Sequence, residues 1–293
     1  MKPPLKISVI TVTYNAANLI ARTIGSVEEQ TYDAVEHIII DGNSQDSTLS
    51  EIHHYQERNS RTEHPREIVC RSEPDRGIYD AMNKGLELAT GKYLLFLNAG
   101  DRFHTPDTLA QIAAVAEKGD KLPAVIYGDT HIVDAAGNFL HRRRLSPPPR
   151  LTWRSFQSGM LVCHQAFFAR RDIAQKTPYD LHFRFSADFD WCIRIMRAAH
   201  RRKLPLTNAG IVVADYLNEG TTTRHHKASL QLEPYPWCAP LCLVQEYGAA
   251  LCSVADNLSC KQRQVWLEVR SQVGDVEMQD AVAGNYCQRP RHG

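Results

Sequence analysis

The chain has 293 residues, of which 43% are hydrophobic and 23% charged, and its formal net charge is +1. These values are ordinary for a globular protein, and the length allows one large domain with or without an appendage. The balanced charge excludes the overall attraction to polyanions that nucleic-acid-binding proteins usually show. We therefore expect no nucleic-acid partner.

The eight cysteines contain no CxxC pair, and several of them lie in apolar runs. This distribution favours buried, reduced thiols over a zinc site or a disulfide framework. The apolar run near the N-terminus is too short for a signal peptide, and no uninterrupted apolar segment is long enough to span a bilayer. We therefore expect a cytoplasmic protein.

Short apolar runs alternate with amphipathic stretches over the first 130 residues. The first run is followed by a helix for which Asn15 is the expected N-cap. Another helix has Ile78, Met82 and Leu86 on its apolar face, and we expect it to end with Gly91 as its C-cap. A further helix is predicted from about Asp46. The predicted strands are Ile7–Thr13, Val35–Ile40, Ile68–Cys70, Tyr93–Leu97 and Ala124–Tyr127.

The alternation predicts an α/β fold with a mostly parallel central sheet flanked by helices on both sides. Beyond Gly128 the pattern changes: a hairpin turn is predicted at 134–138, a proline loop at 147–149, a helix from Asp188 and a strand at 211–214. We expect a main domain at 1–232, followed by a C-terminal helical extension at 233–293 with a frayed tail.

Polar residues follow three of the predicted parallel strands, at 13–15, 41–44 and 98–101. The carboxyl ends of parallel strands meet at one edge of a sheet, where such folds bind nucleotides. There Asp41 could accept a hydrogen bond from a base or ribose, and Asp101 could coordinate a divalent ion that bridges two phosphates. The alternative is that both acids only cap the helices that follow.

Several blocks of this sequence resemble the family 2 glycosyltransferases. The first three blocks are ISVITVTYN at 7–15, IDGNSQDST at 40–48 and SEPDRGIYDAMNKG at 72–85, and FLNAGD at 96–101 occupies the position of the family's acidic metal motif. The similarity extends over roughly Leu5 to Thr223 and includes bacterial enzymes that build exopolysaccharides of the colanic-acid type. Ordered blocks at the expected spacing make the resemblance specific.

The resemblance implies the GT-A fold, a nucleotide-diphosphate-sugar donor with UDP as the expected nucleotide, and an inverting transfer. It also assigns donor-site roles by position. Asp101 matches the acid that binds Mg²⁺ or Mn²⁺, whereas Asn98 and Gly100 depart from the more acidic form of the motif. The implied donor-binding residues are Thr13 and Tyr14 at the base and ribose, Asp41 at the base, and Asp75 and Arg76 in the loop near the nucleotide.

The second half of the chain resembles the acceptor side of the same family. Asp188 falls where the family has its catalytic aspartate, and a carboxylate there could remove the acceptor proton. Asp190 is the competitor for this role, and Asp188 could also serve as a helix cap. His164 is either a wall of the active site or a structural residue. The role of the two histidines His225 and His226, which follow a glycine-containing loop, stays open.

The resemblance implies a saccharide acceptor, and a lipid-linked saccharide at the inner membrane face is a natural one. The segment 237–251 could form an amphipathic surface helix there, giving a peripheral membrane association, or could pack on the catalytic domain. Two alternatives remain. A nucleotidyltransferase would need a glycine-rich basic loop after the first strand, which Tyr14 to Ala17 is not. A noncatalytic sugar-nucleotide-binding or scaffold protein would bind nucleotide without turnover.

Overall fold

A computed structural model describes residues 3–183 and 186–218 of the chain. Within these residues the central feature is a mixed, nine-stranded sheet. The strands are β1 Ile7–Thr13, β2 Val35–Asp41, β3 Glu67–Ser72, β4 Tyr93–Phe96, β5 Arg102–Phe103, β6 Val125–Val133, β7 Phe139–Arg142, β8 Phe167–Arg170 and β9 Leu206–Leu217.

Helices connect most of these strands. They are α1 Ala17–Glu28, α2 Thr48–Ser60, α3 Ile78–Leu88, α4 Thr108–Glu117, α5 Arg171–Ala174 and α6 Ala187–Arg201, with short 3-10 turns at Trp153–Ser158 and His164–Ala166. Among the described residues no helix is long and apolar enough to cross a membrane.

The strand order is β3-β2-β1-β4-β8-β6-β9-β5, and β7 pairs with β6. Strands β1 to β4 are parallel, with Ile7 opposite Val35 and Thr13 opposite Asp41 in the β1–β2 register. β8 runs antiparallel between β4 and β6, and β9 is parallel to β6. Since only β5, β7 and β8 run against the others, the predicted mostly parallel sheet is confirmed.

Alternating side chains of β1 and β2 explain why helices cover both faces of the sheet. On one face, Ile39 packs in a cluster with residues of α1 and α2, and Val9 packs in another with residues of α4. On the other face, Gly85 of α3 lies so close to Ile10 that an added Cβ would stand 2.4 Å from its side chain. The close packing of α3 therefore requires a glycine at this point.

Two predicted helix caps are wrong. Ala16 occupies the N-cap position of α1, while Asn15 has a φ of 46° and accepts a hydrogen bond from the Gln45 N–H through its side chain. Helix α3 ends at Leu88. Gly91 lies beyond the helix, where an added Cβ would stand 2.7 Å from the Ser8 nitrogen. This glycine allows close approach to β1 and does not cap the helix.

Several elements have no counterpart among the predicted ones. They are α4, α5, the two-residue strand β5 and the short strands β7 and β8. The strand predicted at 124–127 continues as β6 through Val133, and the predicted turn at 134–138 connects it to β7. The proposed boundary at residue 232 and the extension beyond it lie outside the described residues, so the two-domain division stays a prediction.

A buried carboxylate links the amino ends of the first strands. Glu36 is fully buried, and it accepts hydrogen bonds from the Ser8 hydroxyl, the Thr90 hydroxyl and the backbone N–H groups of Thr90 and Gly91. Lys6 Nζ lies 2.8 Å from its carboxylate. Burial by itself would raise the pKa of Glu36, but the hydrogen bonds from Lys6, Ser8 and Thr90 lower it to about 2.

We expect Glu36→Ala to lower the free energy of unfolding by about 3 kcal/mol at neutral pH, because several buried donors lose their acceptor. The folded pKa lies below the ordinary value, so this stabilisation is present above about pH 4.5 and is lost as the pH falls toward 2. Urea unfolding at several pH values measures it. Glu67→Ala, which removes the exposed partner of Lys6, should change stability by less than about 0.5 kcal/mol. Equal losses would contradict the prediction.

Candidate active site

The polar ends of β1, β2 and β3 lie side by side. Thr13 is opposite Asp41, and Asp41 is opposite Ser72, in the registers of the parallel strands. The Thr13 hydroxyl is buried and has no hydrogen-bond partner among the described residues. This row is the sheet edge at which the sequence places a nucleotide, and the Thr13 hydroxyl is free to bind one.

Asp41 itself is fully buried and holds two loops together. Its carboxylate accepts hydrogen bonds from the Ser44 N–H at 2.9 Å, from the Ser44 hydroxyl and from the Ser72 hydroxyl at 2.6 Å. The idea that Asp41 merely caps the next helix is wrong, because Ser47 occupies the N-cap position of α2. Contact between Asp41 and a base stays a prediction.

Tyr14 and Asp75 flank Gly42 beside this row. An added Cβ at Gly42 would stand 2.6 Å from Asp75 Oδ2 and 3.3 Å from the Tyr14 ring. The Tyr14 side chain is 63% exposed, so one face of its ring is accessible to a planar ligand. Arg76 lies in the same loop but is exposed and forms an ion pair with Asp80 at 2.8 Å. The structure therefore brings Tyr14 and Asp75 together, whereas the Arg76 guanidinium is paired with Asp80 of α3.

Asp101 is almost fully buried in the loop between β4 and β5, only 4% exposed. Its carboxylate accepts hydrogen bonds from Gln165 Nε2 at 2.9 Å and from the Leu217 N–H at 3.1 Å. Thr23 of α1 fixes the loop: its hydroxyl donates to the Asp101 carbonyl and accepts from the Gly100 N–H. Burial raises the pKa of Asp101 to about 6, although the bond from Gln165 opposes that rise. No helix follows directly, so the idea that Asp101 is a helix cap is wrong.

A cysteine orients the amide that contacts Asp101. The buried Cys163 thiol donates to Gln165 Oε1, which leaves Gln165 Nε2 to donate to Asp101. Burial raises the pKa of the Cys163 thiol to about 11, so this group stays a protonated donor at neutral pH. The described cysteines 70, 163 and 192 are all free thiols, as the sequence predicted for the whole chain.

The neighbouring residue, His164, contacts the candidate base. His164 Nδ1 lies 3.1 Å from Asp188 Oδ2, and His164 Nε2 lies 3.2 Å from Asn98 Nδ2. The tautomer that satisfies both contacts carries its proton on Nδ1, donates it to Asp188 and accepts from the Asn98 amide. One 3-10 turn therefore joins the loop of the metal motif to the first turn of α6.

Asp188 lies in that first turn and is partly accessible, with a side chain that is 20% exposed. Burial by itself would raise the pKa of Asp188, but the hydrogen bonds from His164 and from the Phe189 N–H hold it below its ordinary value. The Tyr79 hydroxyl is 3.5 Å from the other carboxylate oxygen. Asp188 is thus an ionised, accessible carboxylate at neutral pH, and Ser186 occupies the N-cap position of the helix.

The competing acid, Asp190, is engaged elsewhere. It is 3% exposed, and its Oδ2 accepts a hydrogen bond from Arg194 Nε at 2.6 Å, one turn along α6. Burial raises the pKa of Asp190 against the effect of Arg194. This ion pair leaves Asp188 as the acid that faces His164 and the metal-motif loop. Which of the two acts as base stays a prediction.

The residues around Asp101 fit a hard divalent cation. Mg²⁺ and Mn²⁺ prefer oxygen ligands and commonly use one or two carboxylates together with substrate phosphates. Asp101 supplies the carboxylate, and Asn98 in the same loop has a buried side-chain oxygen with no partner among the described residues. A site with only two candidate protein ligands suits an ion that is held largely by the substrate.

A second group of side chains could also hold a metal. His104, His131 and Asp215 offer ligand atoms within 4.8 Å of one another. Asp215 is already paired with Arg102 Nε at 3.0 Å and with His104 Nδ1 at 2.7 Å. The guanidinium charge beside the carboxylate opposes a further cation. We therefore assign this cluster to ion pairing across β5 and β9.

The sequence pointed to most of these residues but missed several that position them. Gln165, Cys163 and Thr23 were not assigned to the site, although Gln165 and Cys163 are the direct neighbours of His164 in the sequence. Tyr79 and Gly42 were also missed. The histidine pair at 225–226 and the predicted surface helix at 237–251 lie outside the described residues.

Comparison with known proteins defines the class. The sequence matches the Glycosyl transferase family 2 profile over residues 8–177. A PGL/p-HBAD biosynthesis glycosyltransferase of Mycobacterium bovis is 34% identical over 189 residues, covering 64% of this chain and 68% of that relative. The amylovoran biosynthesis glycosyltransferase AmsB of Erwinia amylovora is 28% identical over 200 residues, covering 65% and 64%.

Solved structures share the fold at low sequence identity. Staphylococcus aureus TarS 1-349, crystallised with UDP-GlcNAc, superposes with a TM-score of 0.63 at 15% identity, covering 90% of this chain and 79% of that chain. The mannosyltransferase PcManGT of Pyrobaculum calidifontis, in complex with GDP-Man and Mn²⁺, gives 0.56 at 16% identity, covering 96% and 84%.

The sheet, the polar strand ends and these matches together define a glycosyltransferase with the GT-A fold, as the sequence predicted. The chain belongs to glycosyl transferase family 2.

Proposed function

We propose that this enzyme transfers a sugar from a UDP-sugar to a saccharide acceptor, with inversion at the anomeric carbon, in the biosynthesis of a polysaccharide or glycolipid. The observation that carries the proposal is the 3-10 turn at His164–Ala166. Through adjacent residues it contacts both candidate acids, Gln165 to Asp101 and His164 to Asp188. The names of the mycobacterial and Erwinia relatives support the acceptor class.

In this proposal the donor nucleotide lies across the ends of β1 to β3. The exposed Tyr14 ring stacks on the base, and the free Thr13 hydroxyl donates to the base or ribose. Asp41 holds Ser44 and Ser72 in place. Asp75 approaches the nucleotide from the loop before α3, and Arg76 of the same loop would reach it by leaving its ion pair with Asp80. The absence of a side chain at Gly42 allows Asp75 and Tyr14 to lie close to it.

Asp101, with the Asn98 amide oxygen nearby in the loop, would hold Mg²⁺ or Mn²⁺ against the diphosphate. A divalent ion there supplies positive charge that stabilises the diphosphate leaving group. Buried Asp101 must be ionised to bind a cation, and Gln165 and the Leu217 N–H keep its oxygens oriented. That the enzyme uses a metal, and that the metal is Mg²⁺ or Mn²⁺, are both part of this proposal. The PcManGT complex, which shares the fold and contains Mn²⁺, supports it by analogy.

Asp188 would act as the general base. As the acceptor oxygen attacks the anomeric carbon, its proton passes to an Asp188 carboxylate oxygen while the bond to the diphosphate breaks. His164 orients the carboxylate through Nδ1, and the Asn98 amide donating to Nε2 keeps that tautomer. A single displacement by a hydroxyl held opposite the leaving group inverts the configuration. A noncatalytic sugar-nucleotide-binding protein would have no use for this His164–Asp188 pair.

The acceptor is proposed to be a lipid-linked saccharide at the inner face of the plasma membrane, where the enzyme associates peripherally from the cytoplasm. A partly exposed Asp188, in contrast to the buried Asp190, supports access by a bulky acceptor.

A panel of nucleotide sugars tests the proposal. With Mn²⁺ present, we expect one UDP-sugar at about 100 times its dissociation constant to stabilise the protein by about 2.7 kcal/mol, which is a rise in melting temperature of roughly 5–10 °C. GDP-sugars and free sugars should give smaller shifts. The same donor should release UDP when a saccharide acceptor is added. Stabilisation without any UDP release across acceptors would point to a binding protein, and preference for a GDP-sugar would overturn the nucleotide assignment.

A further inference from the structure

A segment without acidic residues stands out in this nearly neutral chain. Residues 135–171 contain seven arginines and no Asp, Glu or Lys. The whole chain has 34 basic and 33 acidic residues, so the segment carries +7 and the remainder carries 27 minus 33, or −6. Such separation concentrates positive charge on one part of the surface.

Two of the seven arginines serve the fold. Arg170 forms an ion pair with Asp172 at 2.6 Å, and Arg171 donates to the Gly91 carbonyl. The other five are at 142, 143, 144, 150 and 154, and all but Arg143 are exposed. Within the described residues, no carboxylate lies within ion-pair distance of these five side chains. Their charge is therefore available to a partner.

Apolar side chains share this surface. Phe139 is 55% exposed and Leu140 is 45% exposed, both on β7 directly before the arginine run. No described strand pairs with the second edge of β7. Together, Phe139, Leu140, Arg142 and Arg144 form what we call the β7 face. It combines exposed apolar side chains with guanidinium groups, as interfacial membrane-binding segments do.

The β7 face is held rigidly. The turn before it is closed by hydrogen bonds between Asp134 and Asn138, and Arg22 of α1 donates to the Asp134 and Ala135 carbonyls. The proline loop that follows is fixed by the Tyr127 hydroxyl. Little conformational entropy is therefore lost when this surface binds a partner.

The same segment leads into the active site. Arg143 donates to the Met160 carbonyl at 2.9 Å, only four residues before His164. A partner bound at the β7 face would thus lie on the chain segment that contains His164, which contacts the candidate base Asp188.

We propose that the β7 face docks the enzyme on an anionic lipid bilayer. Phosphate oxygens are the preferred partners of guanidinium groups, and each arginine near an anionic bilayer strengthens binding severalfold. Phe139 and Leu140 enter the headgroup region, which a purely electrostatic nucleic-acid site would not require. Docking would present a lipid-linked acceptor to the enzyme, and this purpose rests on the proposed function. The vesicle-binding test does not depend on the proposed function.

Vesicle co-sedimentation of the full chain tests the docking. We expect binding to vesicles of phosphatidylcholine with phosphatidylglycerol, weak binding to phosphatidylcholine alone, and a loss of binding as salt increases. The double variant Arg142→Gln/Arg144→Gln should lower partitioning by about ten- to thirtyfold. Phe139→Ser/Leu140→Ser should lower it on the same vesicles while leaving the salt dependence in place.

The matched control is Arg61→Gln/Arg201→Gln, which removes the same charge from exposed positions outside the segment. It should change partitioning by less than about twofold. An equal loss in the control would show a net-charge effect and overturn the proposal. Vesicle binding that does not protect residues 139–144 from hydrogen exchange would also overturn the proposal, since the contact would then lie elsewhere. A preference for an RNA oligonucleotide over vesicles would overturn it as well.

UDP release with a water-soluble acceptor separates this proposal from the proposed function. The β7-face variants should keep that activity. If no donor is ever turned over but the variants still lose vesicle binding, the proposed function fails and the docking stands.

Discussion

Asp188→Asn is expected to lower the rate of sugar transfer by about two to four orders of magnitude, the usual contribution of a general base. The amide oxygen can still accept the hydrogen bond that His164 Nδ1 now donates to Asp188, so the local geometry should persist. Because the side-chain contacts of Asp188 are with His164 and Tyr79 and not with the predicted nucleotide-binding residues at the ends of β1 to β3, donor affinity should change little. Single-turnover transfer with a saturating donor, together with a thermal-shift titration of UDP, measures both quantities.

Asp190→Asn is the matched control on the same helix. It weakens a buried ion pair with Arg194, so we expect the free energy of unfolding to fall by about 1–3 kcal/mol. The transfer rate per folded molecule should stay within a few fold of the unmodified enzyme. If Asp190→Asn abolishes transfer and Asp188→Asn does not, the two assignments must be exchanged.

Asp101→Ala is expected to reduce kcat/KM by a factor of a thousand or more and to remove the response to Mn²⁺, because the proposed carboxylate ligand is lost. UDP affinity measured with and without Mn²⁺ should differ for the unmodified protein and be equal for the variant. The control is Asp107→Ala, which changes an exposed acid beyond β5 that accepts hydrogen bonds from Thr105 and Gln111; it should retain both properties. A Mn²⁺ response that survives in Asp101→Ala would place the ion elsewhere.

The pH dependence provides an independent measure of Asp101. Burial raises its pKa to about 6, so below that pH the protonated group cannot hold a cation, and Mn²⁺-dependent UDP binding should weaken by up to about tenfold per pH unit. The stability of the metal-free protein should change with pH in the opposite direction to UDP binding. Since the folded pKa is above the ordinary value, ionising Asp101 destabilises the fold as the pH rises from about 4 to 6, by about 3 kcal/mol in total. Asp101→Ala should lack this component in urea unfolding.

The sparse acid content of the FLNAGD motif has a structural explanation. Asn98 donates to His164 Nε2, and this contact selects the tautomer in which Nδ1 donates to Asp188. A carboxylate at position 98 would instead attract a proton to His164 and would place a second negative charge near the almost fully buried Asp101. One carboxylate and one amide therefore suit a loop that lies between a metal ligand and a base.

The sequence by itself determined the elements whose signal is local. Strand β1 has the predicted bounds, and β2 extends one residue beyond its predicted end, because a continuous apolar run of this length is typical of a buried parallel strand. The ordered motif blocks identified the family, and they also selected Asp101 and Asp188. These inferences need only neighbours within about a dozen residues.

Only the tertiary structure decided which side chains meet. The contacts of Gln165 with Asp101 and of His164 with Asn98 join residues 64 and 66 positions apart. They depend on β8, a four-residue strand that runs antiparallel between β4 and β6 and so brings its amino end to the carboxyl end of β4. A strand this short has little periodicity of its own, and its pairing energy comes from distant neighbours. The sequence therefore named the two acids, while the position of β8 determined how a single turn connects them.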